Sequence, residues 1–153
     1  MRRTSVSGHV NASRSDVYRA LVDAKAIAAW RVPDGMRSEV HEFDAREGGT
    51  FRISLHYNSR DAIGKTSSHT DTYHGRFAEL VPDERVVEVL EFESDDPALR
   101  GEMTMTTTLS DSGHGTDILI EHDGIPEAVN PADNEAGTRM ALASLARWVE
   151  GHS

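Results

Sequence analysis

The sequence predicts an α+β fold in which a curved antiparallel β-sheet wraps around one long C-terminal helix, with two short helices after the first strand. Three observations predict it. Short segments between Phe51 and His122 alternate apolar and polar residues, as strands with one dry face do. The last helix has clear boundaries and enough length to lie across a whole sheet. Helical spacing otherwise occurs only between the first strand and the run of strands. At 153 residues the chain suits a single domain spanning 1–153, and that length can bury a sizeable core.

The elements follow in order. Thr4 to Val10 alternates weakly and reads as a strand. Ser13-Arg14-Ser15-Asp16 resembles a capping box, with Ser13 at the N-cap and Asp16 reaching back. Val17, Ala20, Leu21 and Ala24 then fall at helical spacing, and a second short helix covers Ala26 to Trp30. Val32-Pro33-Asp34-Gly35 ends it, because Pro33 disfavours helix at the preceding residue. In the β-rich middle, Phe51, Ile53, Leu55 and Tyr57 alternate with Arg52, Ser54 and His56. Asn58 to His69 is polar, contains Gly64 and reads as a long hairpin loop.

Tyr73, Gly75 and Phe77 alternate with His74, Arg76 and Ala78, and Val81-Pro82-Asp83-Glu84 is a turn. The strand from Arg85 to Phe92 has ambiguous parity: Val87 and Val89 lie on one face, Val86, Leu90 and Phe92 on the other. Ser94-Asp95-Asp96-Pro97 breaks it. Met103, Met105, Thr107 and Leu109 share a face, Ser110 to Gly115 is a turn cluster, and Ile118, Ile120 and His122 share a face of the last strand. Asn130 caps the final helix and Pro131 suits its first turn. Asp133 and Glu135 sit near the positive end of its dipole, and Gly151 closes it. Ala141, Leu142, Leu145, Trp148 and Val149 form its apolar stripe, with Arg139, Arg147 and Glu150 largely opposite.

Composition excludes several functions. The net charge of −10 repels phosphate backbones, so no nucleic-acid partner is expected. The absence of cysteine removes disulfides, thiol nucleophiles and cysteine metal sites. No apolar run approaches the roughly 18 residues of a spanning helix, and the N-terminus has no apolar core behind Arg2 and Arg3. Neither membrane insertion nor a signal peptide is expected, and a cytoplasmic location fits. Gly48-Gly49 precedes a strand and lacks a Lys-Ser/Thr partner, so it is no phosphate loop. Gly113-His114-Gly115 is a hairpin turn, and no Gly-x-Ser-x-Gly occurs. No cofactor is indicated.

A bent sheet gripping a helix need not close at both ends, so space remains between the helix stripe and the concave face. The residue pattern resembles a known family. Asp16-Val17-Tyr18-Arg19-Ala20, Trp30 and Pro33 look like the opening motif of the SRPBCC (START and birch-pollen-allergen-like) superfamily, whose fold is the helix grip. The branch is similar to the C-terminal domain of activators of heat-shock chaperone ATPase. Gly48-Gly49-Thr50-Phe51 matches the turn into its third strand. Tyr73 to Phe77, Pro82 and Arg85-Val86-Val87 match its central hairpin. Gly115-Thr116, Gly124-Ile125-Pro126 and Gly137 with Leu142 and Leu145 match its end. The family often carries tryptophan directly after the helix glycine. Here the residue is Thr138, a departure that would enlarge or wet the pocket. The resemblance implies a fold and a cavity, not a reaction.

Candidate cavity residues come from the apolar faces: Trp30, Phe51, Ile53, Tyr73, Phe77, Met103, Met105 and Ile120 from the helices and strands, and Thr138, Leu142 and Leu145 from the final helix. Each is equally suited to plain core. His122 shares a face with Ile118 and Ile120. It reads as a hydrogen-bonded histidine at the cavity rim, with an inward acid–base role as the alternative. Arg52, Arg76 and Glu102 face solvent on parity. His69, Asp71 and His74 are the closest metal-like grouping, but 74 points away from 69 and 71, so no metal site is expected.

The leading expectation is a carrier or sensor that binds an apolar or amphipathic small molecule. A cyclase or dehydratase using His122 is the alternative. A chaperone-interacting module ranks last, because a lone domain of this length lacks the additional N-terminal domain that full activators carry. An exposed edge strand, the first or the one around Met36 to Phe43, could support a homodimer.

Overall fold

The computed structural model describes residues 3–32, 35–57 and 70–152. The expected loop from Asn58 to His69 and the helix stop at Pro33-Asp34 lie outside the described residues. The chain runs β1 (Arg3–Val10), α1 (Arg14–Leu21), α2 (Ala24–Trp30), β2 (Met36–Phe43), β3 (Thr50–Tyr57), β4 (Thr70–Val81), β5 (Arg85–Phe92), β6 (Met103–Ser112), β7 (Gly115–Asp123) and α3 (Pro131–His152). A short 3₁₀ turn covers Pro97–Leu99. The strands form one antiparallel sheet in the order β1-β7-β6-β5-β4-β3-β2, curved around α3 as the alternation and the long helix predict. The edges are β1 and β2.

Local chemistry sets the element ends. Ser13 Oγ accepts the backbone N–H of Asp16 at 3.1 Å, one half of the capping box. The Asp16 carboxylate does not reach back as expected. It takes Arg19 Nη2 at 2.8 Å, a helical i,i+3 pair. Asp23 Oδ1 caps α2 through the N–H of Lys25, so that helix starts two residues before the expected Ala26. Trp30 Nε1 donates to the Ala20 carbonyl at 2.9 Å and locks α2 onto α1.

Two boundary expectations need correction. Gly151 does not close α3; the helix runs through His152, whose Nδ1 lies 2.7 Å from the Trp148 carbonyl and whose ring stacks on Trp148. Strands β6 and β7 run to Ser112 and Gly115, leaving only Gly113-His114 as the turn. Asn130 does cap α3, its Oδ1 accepting from the N–H of Ala132 at 2.8 Å.

Curvature follows from two bulges and one glycine. The register shifts between Val40 and Glu42 in β2 and between Phe77 and Glu79 in β4; each extra residue bends its strand. At Gly75 a side chain would stand 2.2 Å from the Val89 carbonyl oxygen and 2.7 Å from Phe51 Cζ. Only glycine lets the Phe51 ring fold over β4 there. Phe51 packs on Phe77 at 5.3 Å between centroids, and Phe77 meets Phe43 edge-on at 5.4 Å. Across the sheet, α3 lies against β1, where a methyl at Gly8 would stand 3.3 Å from Leu142 Cδ1.

On the convex face, Ser54 is buried although its parity is outward. The β2 bulge turns His41 toward it, with Nε2 2.8 Å from Ser54 Oγ, and Ser54 Oγ lies 2.8 Å from Thr72 Oγ1. This polar chain ties β2 to β3 and β4. It buries the serine hydroxyl among its partners and presents no nucleophile.

Candidate ligand cavity

The alternation of β5 is resolved by burial: Val86, Glu88 and Leu90 point inward, while Val87 and Val89 are only half-buried. A carboxylate therefore sits in the middle of an apolar strand face. The register sets Glu88 opposite Met105 and Met105 opposite His122. At roughly 4.8 Å per strand, the two titratable ends of that row are about 10 Å apart. Leu90 and Met103 form a parallel row, as do Thr107 and Ile120. Between these rows and α3 lies a cavity of about 300 Å³, at the lower end of the range for small-molecule pockets. Its roof is the stretch of α3 that carries Asn134, Gly137, Thr138 and Ala141, and Trp30 and Arg31 at the end of α2 close one side.

Electrostatics concentrate at Arg31. Its Nη1 donates to Glu88 Oε1 at 2.8 Å, with the two side chains 14% and 5% exposed. Its Nη2 lies 4.0 Å from Met105 Sδ, and Cζ sits 5.8 Å from the Tyr73 ring centroid. Burial works most strongly against the guanidinium charge, but Glu88 and Tyr73 together outweigh it and hold the arginine more firmly protonated than usual. Burial pushes the Tyr73 phenol up, with Arg31 opposing. His122 is 7% exposed. Burial first, then the nearby Arg31 charge, push its imidazole down to about 4, so it is neutral at pH 7. Its Nδ1 is buried with no hydrogen-bond partner among the described residues. The expected satisfied histidine is thus an unsatisfied one. Asp71, also inward, accepts from the Tyr57 hydroxyl at 3.2 Å.

Trp30, Tyr73, Met103, Met105, Ile120, His122 and Thr138 line the cavity. Thr138 does not wet it: its hydroxyl donates to the Asn134 carbonyl at 2.7 Å, leaving the methyl to face outward from the helix. Phe51, Ile53, Phe77, Leu142 and Leu145 do not line the cavity, which corrects the expectation for them. Phe51 and Phe77 are consumed by the aromatic cluster over Gly75, and Ile53 lies beside it, opposite Tyr73. Leu142 seats on Gly8, and Leu145 is fully buried. These leucines make the grip itself rather than the space inside it.

Sequence reasoning missed Arg31, Glu88, Asp71 and Asn134. The signal for Glu88 was present: Val86, Leu90 and Phe92 share its parity. Arg52 and Arg76 do face outward, pairing with Glu93 at 2.8 Å and Glu102 at 2.9 Å. His69 lies outside the described residues, Asp71 and His74 point to opposite faces, and no metal-binding cluster occurs among the described residues. No helix there is long and apolar enough to cross a membrane.

The family model for Activator of Hsp90 ATPase homolog 1-like protein matches residues 11–150. The chain belongs to that family. The activator-like branch of the SRPBCC superfamily, and the helix grip that goes with it, are therefore this chain's own. A protein of known structure from Chromobacterium violaceum is 34% identical over 97% of this chain and 96% of its own, with a TM-score of 0.86. The AHSA1-like protein from Aeromonas hydrophila shares the fold at 19% identity, 99% and 94% coverage and a TM-score of 0.75. A Rhodobacter sphaeroides protein does so at 19% identity, 99% and 93% coverage and a TM-score of 0.81. No functionally curated protein matches the sequence. As a member of the activator-like family, the chain has a fold that hosts ligand cavities, and its own cavity is built from the rows above.

Proposed function

We propose that this activator-like protein binds an apolar or amphipathic small molecule between α3 and the concave sheet face, as a carrier or sensor. The observation that carries the reading is the cavity of about 300 Å³ walled by Leu90, Met103, Met105 and Ile120, with a few polar groups converging on it. Such a mixture suits a ligand with an apolar body and one polar end, and the two methionines suit varied shapes. Native mass spectrometry of the purified protein after exposure to a lipid and metabolite extract tests it. A retained small molecule that raises the thermal midpoint is the expected result. A protein that retains nothing and gains no stability sinks the reading.

A second reading is acid–base catalysis of the cyclase or dehydratase kind, favoured by a neutral inward His122 near the Arg31–Glu88 pair. Recovery of the bound molecule distinguishes the two. A ligand released unchanged in mass and connectivity supports the carrier. A converted product that His122→Ala no longer forms supports the enzyme. Family membership carries a third reading, contact with a chaperone ATPase, which a pull-down and ATPase assay with the purified chaperone address.

A further inference from the structure

Two sources of positive potential border the cavity, and the chain's own carboxylates already match both. The first is Arg31, the lone arginine or lysine among the described residues lining it. Its Nη1 is held by Glu88 Oε1 at 2.8 Å, its Cζ sits over the Tyr73 ring and its Nη2 points to Met105 Sδ. The second is the N-terminus of α3, whose orphan N–H groups ordinarily attract anions. There Asn130 Oδ1 takes the N–H of Ala132, and Asp133 stands in the first turn and lines the cavity mouth. A carboxylate or phosphate head entering this space meets Glu88 and Asp133 without an unmatched cation, in a protein of net charge −10.

One fully buried lining nitrogen is left without a partner among the described residues. His122 lines the cavity, is 7% exposed, and has a buried Nδ1 with no partner among the described residues. A buried nitrogen without a hydrogen bond is costly, and Nδ1 is sealed in this ring orientation, so a ligand group that satisfies it once the ring turns to present it gains that difference. A hydroxyl both donates and accepts, and so serves either neutral tautomer or either orientation of the ring. A carboxylate only accepts, so it is limited to the one N–H edge of the neutral ring and finds no cation there, while an ammonium meets the same burial and Arg31 charge that disfavour the imidazolium.

We infer that the cavity selects an uncharged amphiphile whose polar end is a hydroxyl placed at His122, and discriminates against anionic amphiphiles of the same length. This rests on the proposed binding function and names the class of ligand for it.

The experiment uses the full chain at pH 7.5 and the neutral dye Nile red as probe, displaced by three ligands of equal chain length: 1-decanol, decanoate and decylamine. Decanol is expected to displace the dye at about tenfold lower concentration than either charged analogue, a difference of about 1.4 kcal/mol. In Glu88→Gln, where Arg31 loses its counter-charge, the ratio of decanoate to decanol affinity rises about tenfold. Asp133→Asn, on the exposed first turn of α3, moves the same ratio in the same direction and serves if the buried variant fails to fold. His122→Leu lowers the preference for decanol over decylamine. Decanoate or decylamine binding as tightly as decanol overturns the inference while leaving the cavity's binding function standing. Dye and ligands that all fail to bind remove the binding function itself.

Discussion

Arg31 Nη1 donates to Glu88 Oε1 at 2.8 Å, joining the residue just past α2 to the middle of β5 through the cavity wall. Both side chains are largely withdrawn from water, so each charge is compensated mainly by the other. Removing one partner strands a buried charge, and Arg31→Met or Glu88→Met alone is expected to cost about 3–5 kcal/mol. The double variant should recover most of that loss, since the two methionines fill similar volume. Urea unfolding of the four proteins checks this as a double-mutant cycle. Additive losses would show that the pair is not coupled.

The imidazole of His122 titrates near 4 in the folded chain, below its ordinary 6.5. The unfolded chain therefore takes up this proton from pH 6.5 downward while the folded chain does not. Stability falls as the pH drops from about 6.5 to about 4 and levels off below. The contribution over that window is about 3 kcal/mol. The outward His9 is raised, chiefly by its hydrogen bond to Asp117, and acts in the opposite sense, but it is common to wild type and variant. Comparing wild type with His122→Gln by urea unfolding at several pH values isolates the His122 term. Parallel pH profiles for the two proteins would refute it.

Thr138 lines the cavity from α3 with its hydroxyl already satisfied by Asn134. Thr138→Trp places a large ring into the existing space without orphaning a partner. The fold should persist by circular dichroism, while Nile red binding drops about tenfold or more. Unchanged dye binding would put the ligand elsewhere.

Gly75 and Gly151 should respond oppositely to alanine. At Gly75 the new methyl meets the Val89 carbonyl and Phe51, and backbone cannot yield cheaply, so a loss of about 3 kcal/mol or more is expected. Gly151 is helical, exposed and has nothing within 4 Å of a would-be side chain. There alanine should add about 0.5–1 kcal/mol through helix propensity. Thermal unfolding of both variants reads the two signs.

The strand faces, the caps at Ser13 and Asn130 and the order of elements were legible because period-two and period-3.6 patterns report which side of an element is dry. They do not report which dry residues touch one another and which face a void. Phe51, Phe77, Leu142 and Leu145 look identical to Met103 and Ile120 in sequence. Only the approach allowed by Gly75 and Gly8 separates filled space from empty space. Glu88 and Arg31 were hidden for a different reason. A charged residue on an apolar face is interpretable only with its partner, and that partner lies 57 positions away. The satisfied Thr138 and the unsatisfied His122 likewise depend on where a neighbour's lone pair or N–H falls.

Gly137, Thr138 and Ala141 present almost no side-chain bulk to the cavity and sit within little more than one helical turn. The opposite wall is a sheet whose side chains are fixed in register by their neighbours. Under the proposed binding mode, capacity and anchoring fall on separate surfaces: a few substitutions on one face of α3 would rescale the chamber, while the sheet would keep the handle at His122 in place. A designer wanting a differently sized guest has an adjustable ceiling over an invariant floor.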